Sequence, residues 1–330
     1  MHHGAVVDHV GHEGTRIFGE VAEVGKTLER LSGVVGTTVQ PEAAVMLDWE
    51  NRWAIEDMFA LGKGLRKYRE TCVAHHRPFW RMGVPTDGID SLVDFGRYRL
   101  VVAPMLYMLR PGVAERLTRF VADGGTLVMT YWSGVVDENV LAITGGWPGG
   151  GLREVFGIWN EETDALYPGD RNRIVMVDGN QLGLSGQFEV RELAGLIHAE
   201  GASVLATYAD DFYTGRPALT VHRYGEGRAY YIAARTDDAF LSAFYGRLTR
   251  ILGLRRVLEA DLPEGVTAQM RTDGRTEYVF LMNFAEVPRT VELGDADMGD
   301  VLEGGRVAGC IELPPRSLRV LQREASRVRP

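Results

Sequence analysis

The chain concentrates chemically capable side chains in one short segment, Asp48-Trp49-Glu50-Asn51-Arg52-Trp53. This segment directly follows an apolar run at residues 43–47, so we expect it at the carboxyl end of a strand, where open α/β sheets carry their functional surface. Asp48 and Glu50 are separated by a single residue, so their side chains would share a face if the strand continued. A retaining glycosidase needs two carboxyl groups about 5–5.5 Å apart. With its two indole rings, the segment is a candidate carbohydrate site.

A structural role competes with catalysis for the same carboxylates. Asp48 and Glu50 could cap the helix that follows the strand and pair with Arg52. Because the sequence shows no second element that brings a carboxylate toward them, we favour the structural role. Tryptophan is enriched at protein interfaces as well as at sugar platforms, so an interaction surface is at least as well supported as a core position for the six tryptophans: Trp49, Trp53, Trp80, Trp132, Trp147 and Trp159.

Three other patterns are too weak to define a catalytic, phosphate or metal centre. Thr130 and Ser133 flank a strand-to-helix elbow and could be nucleophiles, but no G-x-S-x-G frames them and the histidines are scattered. The histidines between residues 2 and 12 lack the spacing of a metal site. The glycine run at 145–151 lacks the G-K-[ST] ending of a phosphate loop. We therefore expect no cofactor and no metal.

Alternating apolar strands and amphipathic helices predict an α/β fold in the middle of the chain. Continuous apolar runs indicate strands, and 3.6-residue periodicity indicates helices at 55–73, after Pro111, and at 238–252. Short βα units with apolar strands are typical of a parallel sheet covered by helices on both faces. The strands are expected at 43–47, 100–103, 126–130, 203–208, 218–224 and 228–233, the last two forming a hairpin.

The two ends of the chain differ from this middle region. Near the amino terminus, Ile17, Val21, Val24 and Leu28 predict an amphipathic helix whose apolar stripe has no sheet nearby, which indicates a packing partner upstream. A charged stretch at 254–262 is typical of a linker. Beyond it, a small antiparallel β domain is predicted from short strands at 266–271, 277–283, 290–293, 306–313 and 318–321.

Bulk composition narrows the function classes. The chain has 330 residues and a net charge of −9 without a basic block, which suits two or three domains and argues against nucleic acid as a partner. Its two cysteines, Cys72 and Cys310, fit no zinc or redox spacing and are expected to be reduced thiols in the cytoplasm. We expect no signal peptide and no membrane partner, because no run of about 18 apolar residues is present.

Several motifs in order resemble the second half of glycoside hydrolase family 42 β-galactosidases. They are His3-Gly4-Ala5-Val6-Val7, the 48–53 segment, residues 95–107, Asp123-Gly124-Gly125 with Thr126-Leu127-Val128, residues 152–158, residues 278–284 and Leu313-Pro314-Pro315. The resemblance covers nearly the whole chain. It implies a flavodoxin-like or Rossmann-like (class I glutamine-amidotransferase-like) domain that mediates trimerisation, followed by a small β domain.

The resemblance also implies how the chain is divided. Residues 1–35 would be a remnant of the last helix of a TIM barrel with a linker, residues 36–255 the trimerisation domain, and residues 256–330 the C-terminal antiparallel β domain. Both catalytic glutamates of the family lie on barrel strands, and no position here matches them, so no catalytic residue is assigned. His3 matches a histidine that holds galactose hydroxyls in the family, but its glutamate partner three residues earlier has no counterpart.

We therefore predict a non-catalytic trimerisation and C-terminal region of a β-galactosidase. The expected partners are two further copies of the chain and a missing or separately encoded barrel, with a galactoside bound only in the complete enzyme. In this interpretation Asp48, Trp49, Glu50, Asn51 and Trp53 are interface or strand-end residues. One alternative is a stand-alone amidotransferase-like module that binds carbohydrate or regulates. The other is a glycosidase working on these domains alone.

Overall fold

The computed structural model describes residues 6–7, 9, 11–59 and 62–325. They divide into two compact units, one formed by Pro41–Arg255 and the other by Met1–Gln40 with Arg256–Pro330. The helices are α1 (Arg16–Arg30), α2 (Trp49–Asp57), α3 (Tyr68–Met82), α4 (Val113–Ala122), α5 (Leu152–Phe156) and α6 (Asp238–Leu252), with 3-10 turns at Ser32–Val34 and Lys63–Leu65. The strands are β1 (Ala43–Met46), β2 (Thr86–Ile89), β3 (Leu100–Ala103), β4 (Met108–Leu109), β5 (Thr126–Thr130), β6 (Val136–Asp137), β7 (Ile158–Ala165), β8 (Asn172–Met176), β9 (Gln187–Ala199), β10 (Ser203–Tyr208), β11 (Pro217–Tyr224), β12 (Gly227–Ile232), β13 (Ala234–Thr236), β14 (Val266–Thr272), β15 (Thr276–Asn283), β16 (Arg289–Asp300), β17 (Arg306–Leu313) and β18 (Ser317–Glu324).

The larger unit is built on one mixed sheet of eleven described strands. Five of them run parallel in the order β2-β1-β3-β5-β12. The sheet then continues antiparallel through β11, β10, β8 and β9 to β13, and β7 also pairs with β9. The predicted hairpin is confirmed as β11 and β12. The predicted parallel sheet is confirmed as far as β12, and beyond that strand the sheet is antiparallel, so it is mixed as a whole.

Helices cover both faces of the parallel strands, as the apolar strand pattern predicts. Successive residues of β1 point to opposite faces, so Ala43 and Val45 belong to one core cluster and Ala44 and Met46 to another. The first cluster includes Phe79 of α3 and the buried side of α6. The second includes the buried sides of α4 and α5. This burial on both faces explains why these strands are continuously apolar.

The predicted helix at 55–73 is wrong in its extent. The chain leaves the helical conformation at Met58, which is extended, and a new helix begins at Tyr68. Gly62 and Gly64 lie in the interruption, and glycine costs helix stability through lost backbone entropy. Phe59, an apolar residue within the predicted helix, is 98% exposed.

The long antiparallel strands β7, β8 and β9 were not predicted. β7 carries Glu161, Glu162 and Asp164, which have low strand propensity, and most of its residues reach solvent. Such a strand is fixed by its pairing with a distant strand, here β9, rather than by its own pattern. Among the described residues, no helix is long and apolar enough to cross a lipid bilayer.

The smaller unit contains a five-stranded antiparallel sheet in the order β14-β15-β18-β16-β17. The predicted antiparallel β region is therefore confirmed, with β16 much longer than expected. Thr38 exchanges two backbone hydrogen bonds of 2.8 Å with Thr272, which joins the segment after α1 to β14. Helix α1 forms as predicted with Thr15 as its cap, yet none of its residues is buried and its apolar stripe is exposed at Ile17, Val21, Val24 and Leu28.

Candidate functional site at the carboxyl edge of the parallel strands

The 48–53 segment begins α2 immediately after β1, at the edge where the carboxyl ends of β1, β3 and β5 meet. Asp48 is the cap of this helix: it is extended, and its Oδ1 accepts a hydrogen bond of 3.0 Å from the backbone N–H of Asn51. The capping role proposed from the sequence is therefore confirmed for Asp48. Because the chain turns helical here, the two carboxylates do not continue along one face of a strand.

A buried ionic network holds Asp48 in place. The side chain of Asp48 is 1% exposed, and its Oδ2 lies 2.8 Å from Arg110 Nη2. The Ser91 hydroxyl donates to the same oxygen, and Arg110 also pairs with Asp90. Charge-assisted hydrogen bonds of this kind fix a buried carboxylate rather than leave it available to a substrate. Asp48 is therefore a positioning residue that joins the start of α2 to the segments that follow β2 and β4.

Glu50 shares the same arginine but faces solvent. Its Oε1 lies 3.2 Å from Arg110 Nη1, and its side chain is 53% exposed. The expected pairing of these carboxylates with Arg52 is wrong, because Arg52 pairs with Glu56 at 2.7 Å and lies over the Trp49 ring. One buried carboxylate and one exposed carboxylate, both bound to a single arginine, do not form the acid and nucleophile of a glycosidase.

Asn51 ties two loops together through its side-chain amide. The residue is fully buried; its Nδ2 donates to the Met105 carbonyl at 3.0 Å, and its Oδ1 accepts from the Met108 N–H at 2.8 Å. Met105 has a φ of 44°, a left-handed conformation that a non-glycine residue adopts only when its surroundings enforce it. Asn51 supplies part of that enforcement.

The elbow after β5 is a second place where polar side chains bind backbone. Thr130 Oγ1 accepts from the Met105 N–H at 2.8 Å, and Ser133 Oγ accepts from the Leu106 N–H at 3.0 Å. Both hydroxyls are buried and so are not exposed nucleophiles. Between them, Trp132 has a φ of 58°. The two hydroxyls therefore shape the loop after β3.

Arg235 is a central residue that no sequence pattern indicated. Its guanidinium donates to the Tyr131 hydroxyl at 2.8 Å, to Glu192 at 2.5 Å and to the Leu65 carbonyl at 3.0 Å. Its side chain is only 13% exposed, and Glu192 also pairs with Lys67. The network fixes the connection between α2 and α3 onto the sheet. No local sequence pattern predicts this role for Arg235, because its partners are far apart in sequence.

Burial shifts the pKa of several groups beneath this edge. Burial raises the pKa of the Tyr68 phenol well above its usual value, and that hydroxyl accepts from the Asp48 N–H at 3.0 Å. Burial also raises the pKa of the Cys72 thiol to about 12, so the thiol stays protonated and unreactive. It lowers the pKa of His75 to about 3, which keeps that imidazole neutral beside the Tyr245 hydroxyl.

The tryptophans of α2 lie outside this buried network. Trp49 and Trp53 are 54% and 60% exposed. Trp53 lines an open recess of about 580 Å³ with Met108, Val140 and the acidic residues Glu50, Glu56, Asp57 and Glu138. Across the described residues, none of the six tryptophans is fully buried. The surface alternative for the tryptophans therefore agrees with their exposure.

The remaining candidates do not form a site. His3 lies outside the described residues, as does His2, whereas His9 and His12 are described near the amino terminus. The glycine run at 145–151 precedes the short helix α5 and does not follow a strand. Within the described ranges, no group of three or more His, Cys, Asp or Glu side chains is placed to hold a metal ion.

Comparison with known proteins identifies the family to which the chain is similar. The model of the β-galactosidase trimerisation domain of glycoside hydrolase family 42 matches residues 41–255, and the model of the β-galactosidase C-terminal domain matches residues 265–323. The first match contains the whole buried network and both tryptophans of α2. The second contains the five-stranded sheet.

Curated relatives and solved structures agree with these matches. A β-galactosidase of Clostridium perfringens is 52% identical over 98% of this chain and 47% of its own length, and one of Alicyclobacillus acidocaldarius is 51% identical over 98% and 47%. The structure of a β-galactosidase from Rahnella sp. R3 superposes with a TM-score of 0.91 at 45% identity, covering 98% of this chain and 46% of that one. The chain thus spans about half the length of the relatives it matches. It belongs to the glycoside hydrolase family 42 β-galactosidases and corresponds to their trimerisation and C-terminal domains.

Proposed function

We propose that this chain is the assembly part of a β-galactosidase and that its larger unit associates into a homotrimer. The observation that carries the proposal is the inverted burial at the carboxyl edge: polar side chains are buried there while indole rings face solvent. Exposed aromatic surface of this kind marks protein–protein contact. In this proposal Trp49 and Trp53 contact a neighbouring copy, and Asp48 and Asn51 hold the helix that presents them.

We also propose that the larger unit has a flavodoxin-like, amidotransferase-like fold. Counting only the parallel strands in chain order, β2-β1-β3-β5-β12 is the order 2-1-3-4-5, which is that of flavodoxin-like sheets. The strained residue Trp132 follows β5 at the strand-to-helix elbow. Both features support a flavodoxin-like, amidotransferase-like ancestry. At this elbow the chain has the indole of Trp132, in the position where an amidotransferase-like enzyme would carry its nucleophile.

We further propose that catalysis belongs to a barrel domain packed against α1. Residues 1–35 would then be the remnant of the last barrel helix, residues 36–255 the trimerisation domain and residues 256–330 the C-terminal domain. Support comes from the exposed stripe of α1, where Val24 and Leu28 are 57% and 64% exposed. The complete protein would hydrolyse terminal β-D-galactosides, and two free cysteines support a reducing, cytoplasmic setting.

Sedimentation velocity of the 330-residue chain at micromolar concentration tests the trimer. A species of three times 36.5 kDa is expected, and a strict monomer would contradict the proposal. A chromogenic galactoside assay and calorimetry with galactose and lactose test whether catalysis and sugar binding belong to the barrel domain rather than to this chain. We expect no turnover and no heat from this chain alone, whereas binding heat would favour the stand-alone carbohydrate module.

A further inference from the structure

Helix α2 separates two surfaces of opposite charge. On a helix of about 3.6 residues per turn, Trp49 and Trp53 share one face, which we call the indole ridge. Glu50 and Asp57 are two turns apart and lie together on one side of the ridge, whereas Arg52 lies on the other side. Glu56 lies on the Arg52 side and pairs with that arginine, so one flank of the ridge is wholly acidic and the other carries both signs.

The flank with Glu50 and Asp57 opens into the recess of about 580 Å³ already described, here called the acidic recess. Its charged lining consists of Glu50, Glu56, Asp57 and Glu138, with no basic residue. Glu50 and Glu56 are bound by Arg110 and Arg52, but Asp57 and Glu138 have no ion-pair partner in the part of the chain that the structure describes. The acidic recess therefore offers uncompensated negative charge beside Trp53.

The opposite flank opens into a recess of about 560 Å³, the basic recess. Its charged lining consists of Arg52, Arg66, Lys67 and Arg69 against Glu56 and Glu70. Arg69 is exposed, and its contact with Glu70 is loose at 3.7 Å with both side chains more than half exposed. Such a surface pair is worth little, so Arg69 is available to another carboxylate.

We propose that the trimer closes head to tail through these two recesses, the acidic recess of one copy receiving the basic recess of the next, with the indole ridge between them. The inference rests on the proposed trimer and names its contact surfaces. Opposite charge on two different patches of one subunit suits a heterologous contact, which generates a closed ring when the rotation is one third of a turn. Burial of the indoles supplies affinity, and the complementary charges set orientation.

Charge reversal tests the assignment in the 330-residue chain. Asp57→Arg with Glu138→Arg balances Glu50 and Glu56 and so removes the net negative charge of the acidic recess. Arg52→Glu with Arg69→Glu gives the basic recess a net negative charge, so that both recesses are acidic. Each double variant is expected to weaken trimer formation about 100-fold or more in sedimentation equilibrium, because the first removes the charge attraction at every contact and the second makes like charges face each other there. The quadruple variant carries both reversals and is expected to regain the trimer.

Matched controls place the same charge changes elsewhere on the larger unit. Asp170→Arg with Asp178→Arg, and Arg119→Glu with Arg223→Glu, alter exposed residues away from α2 and are expected to leave trimers intact. Mixing the two double variants is the sharpest arm, because satisfied contacts would have to alternate around the ring. A ring of three cannot alternate, so at least one contact of every mixed ring stays without its charge attraction. The mixture is therefore expected to assemble less than wild type, and full recovery of trimers on mixing would overturn the head-to-tail assignment.

The outcomes separate this inference from the proposed function. A monomeric wild-type chain overturns the trimer itself. A trimeric wild type with trimeric double variants overturns only the assignment of the recesses. Circular dichroism verifies that each variant is folded. If one is not, the salt dependence of the wild-type trimer decides, because dissociation that does not increase between 50 mM and 500 mM NaCl also overturns the charge-matched contact.

Discussion

Neighbouring residues of the 48–53 segment differ in burial, and the polar residues are the buried ones. Asp48 and Asn51 are polar and almost completely buried, whereas Trp49 and Trp53 are aromatic and more than half exposed. In an ordinary amphipathic helix the burial would be reversed. The buried polar side chains are therefore structural, since each has its hydrogen-bond partners, whereas the exposed rings need an explanation outside the single chain.

The largest effect should come from removing the Asp48 carboxylate. Asp48→Ala leaves the guanidinium of Arg110 without its buried partner and removes the helix cap, so we expect a loss of about 3–5 kcal/mol in the free energy of unfolding. Urea denaturation measures it. Glu50→Ala removes the exposed partner of the same arginine and should cost less than about 1 kcal/mol. Equal costs would remove the contrast between buried and exposed carboxylates.

Asn51→Ala should be the next most damaging change. It leaves the Met105 carbonyl and the Met108 N–H without partners in a buried loop, for an expected loss of about 2–4 kcal/mol in unfolding free energy. Thermal and chemical unfolding check the value. Asn139→Ala, at an exposed asparagine, is the matched control and should stay within about 0.5 kcal/mol of wild type.

The exposed half of the comparison should respond in association rather than in folding. Trp53→Ala is expected to weaken the trimer by about 2 kcal/mol or more while changing the unfolding of the subunit by less than about 0.5 kcal/mol. Sedimentation equilibrium and urea denaturation under dissociating conditions separate the two quantities. Trp80→Ala, at a tryptophan that is 40% exposed on α3, is the control and should leave association unchanged. A purely folding defect in Trp53→Ala would argue against an interface role.

A buried histidine offers the smallest and most specific test. Burial lowers the pKa of His75 from 6.5 to about 3, so below pH 6.5 the unfolded chain binds a proton that the folded chain does not. Stability from this group is therefore full above pH 6.5 and is lost as the pH falls toward 3. Between pH 7 and pH 5.5 the expected loss is about 1 kcal/mol.

The comparison variant for this test is His75→Asn, which keeps a polar side chain near Tyr245 but does not titrate. The free energy of unfolding of this variant should be lower than that of wild type. The loss of about 1 kcal/mol between pH 7 and pH 5.5 that His75 causes should be absent from it. An unchanged pH slope would assign that dependence to groups other than His75.

Much of the parallel half was predictable because its signals are local. The apolar runs of β1, β3 and β5 and the stripe of α6 depend only on short-range periodicity, and their bounds agree closely with expectation. The polar strands β7 to β9 were missed because pairing across the sheet decides them. Asp48 as a helix cap was predictable, whereas its true partner Arg110 lies 62 positions away in the chain and cannot be chosen from spacing.

Residue order alone was enough to predict the alternation of strands and helices, the separate antiparallel region and the resemblance to the β-galactosidase family, because each of these depends on local patterns. The folded chain was needed to show that Asp48 and Asn51 are buried and support loops, and that Arg110 and Arg235 bind several segments at this edge. It also shows that the indoles of α2 lie between a recess of net negative charge and one of net positive charge. These facts depend on which distant segments meet when the sheet closes. Burial and electrostatic contact are properties of that meeting and not of any local run of residues.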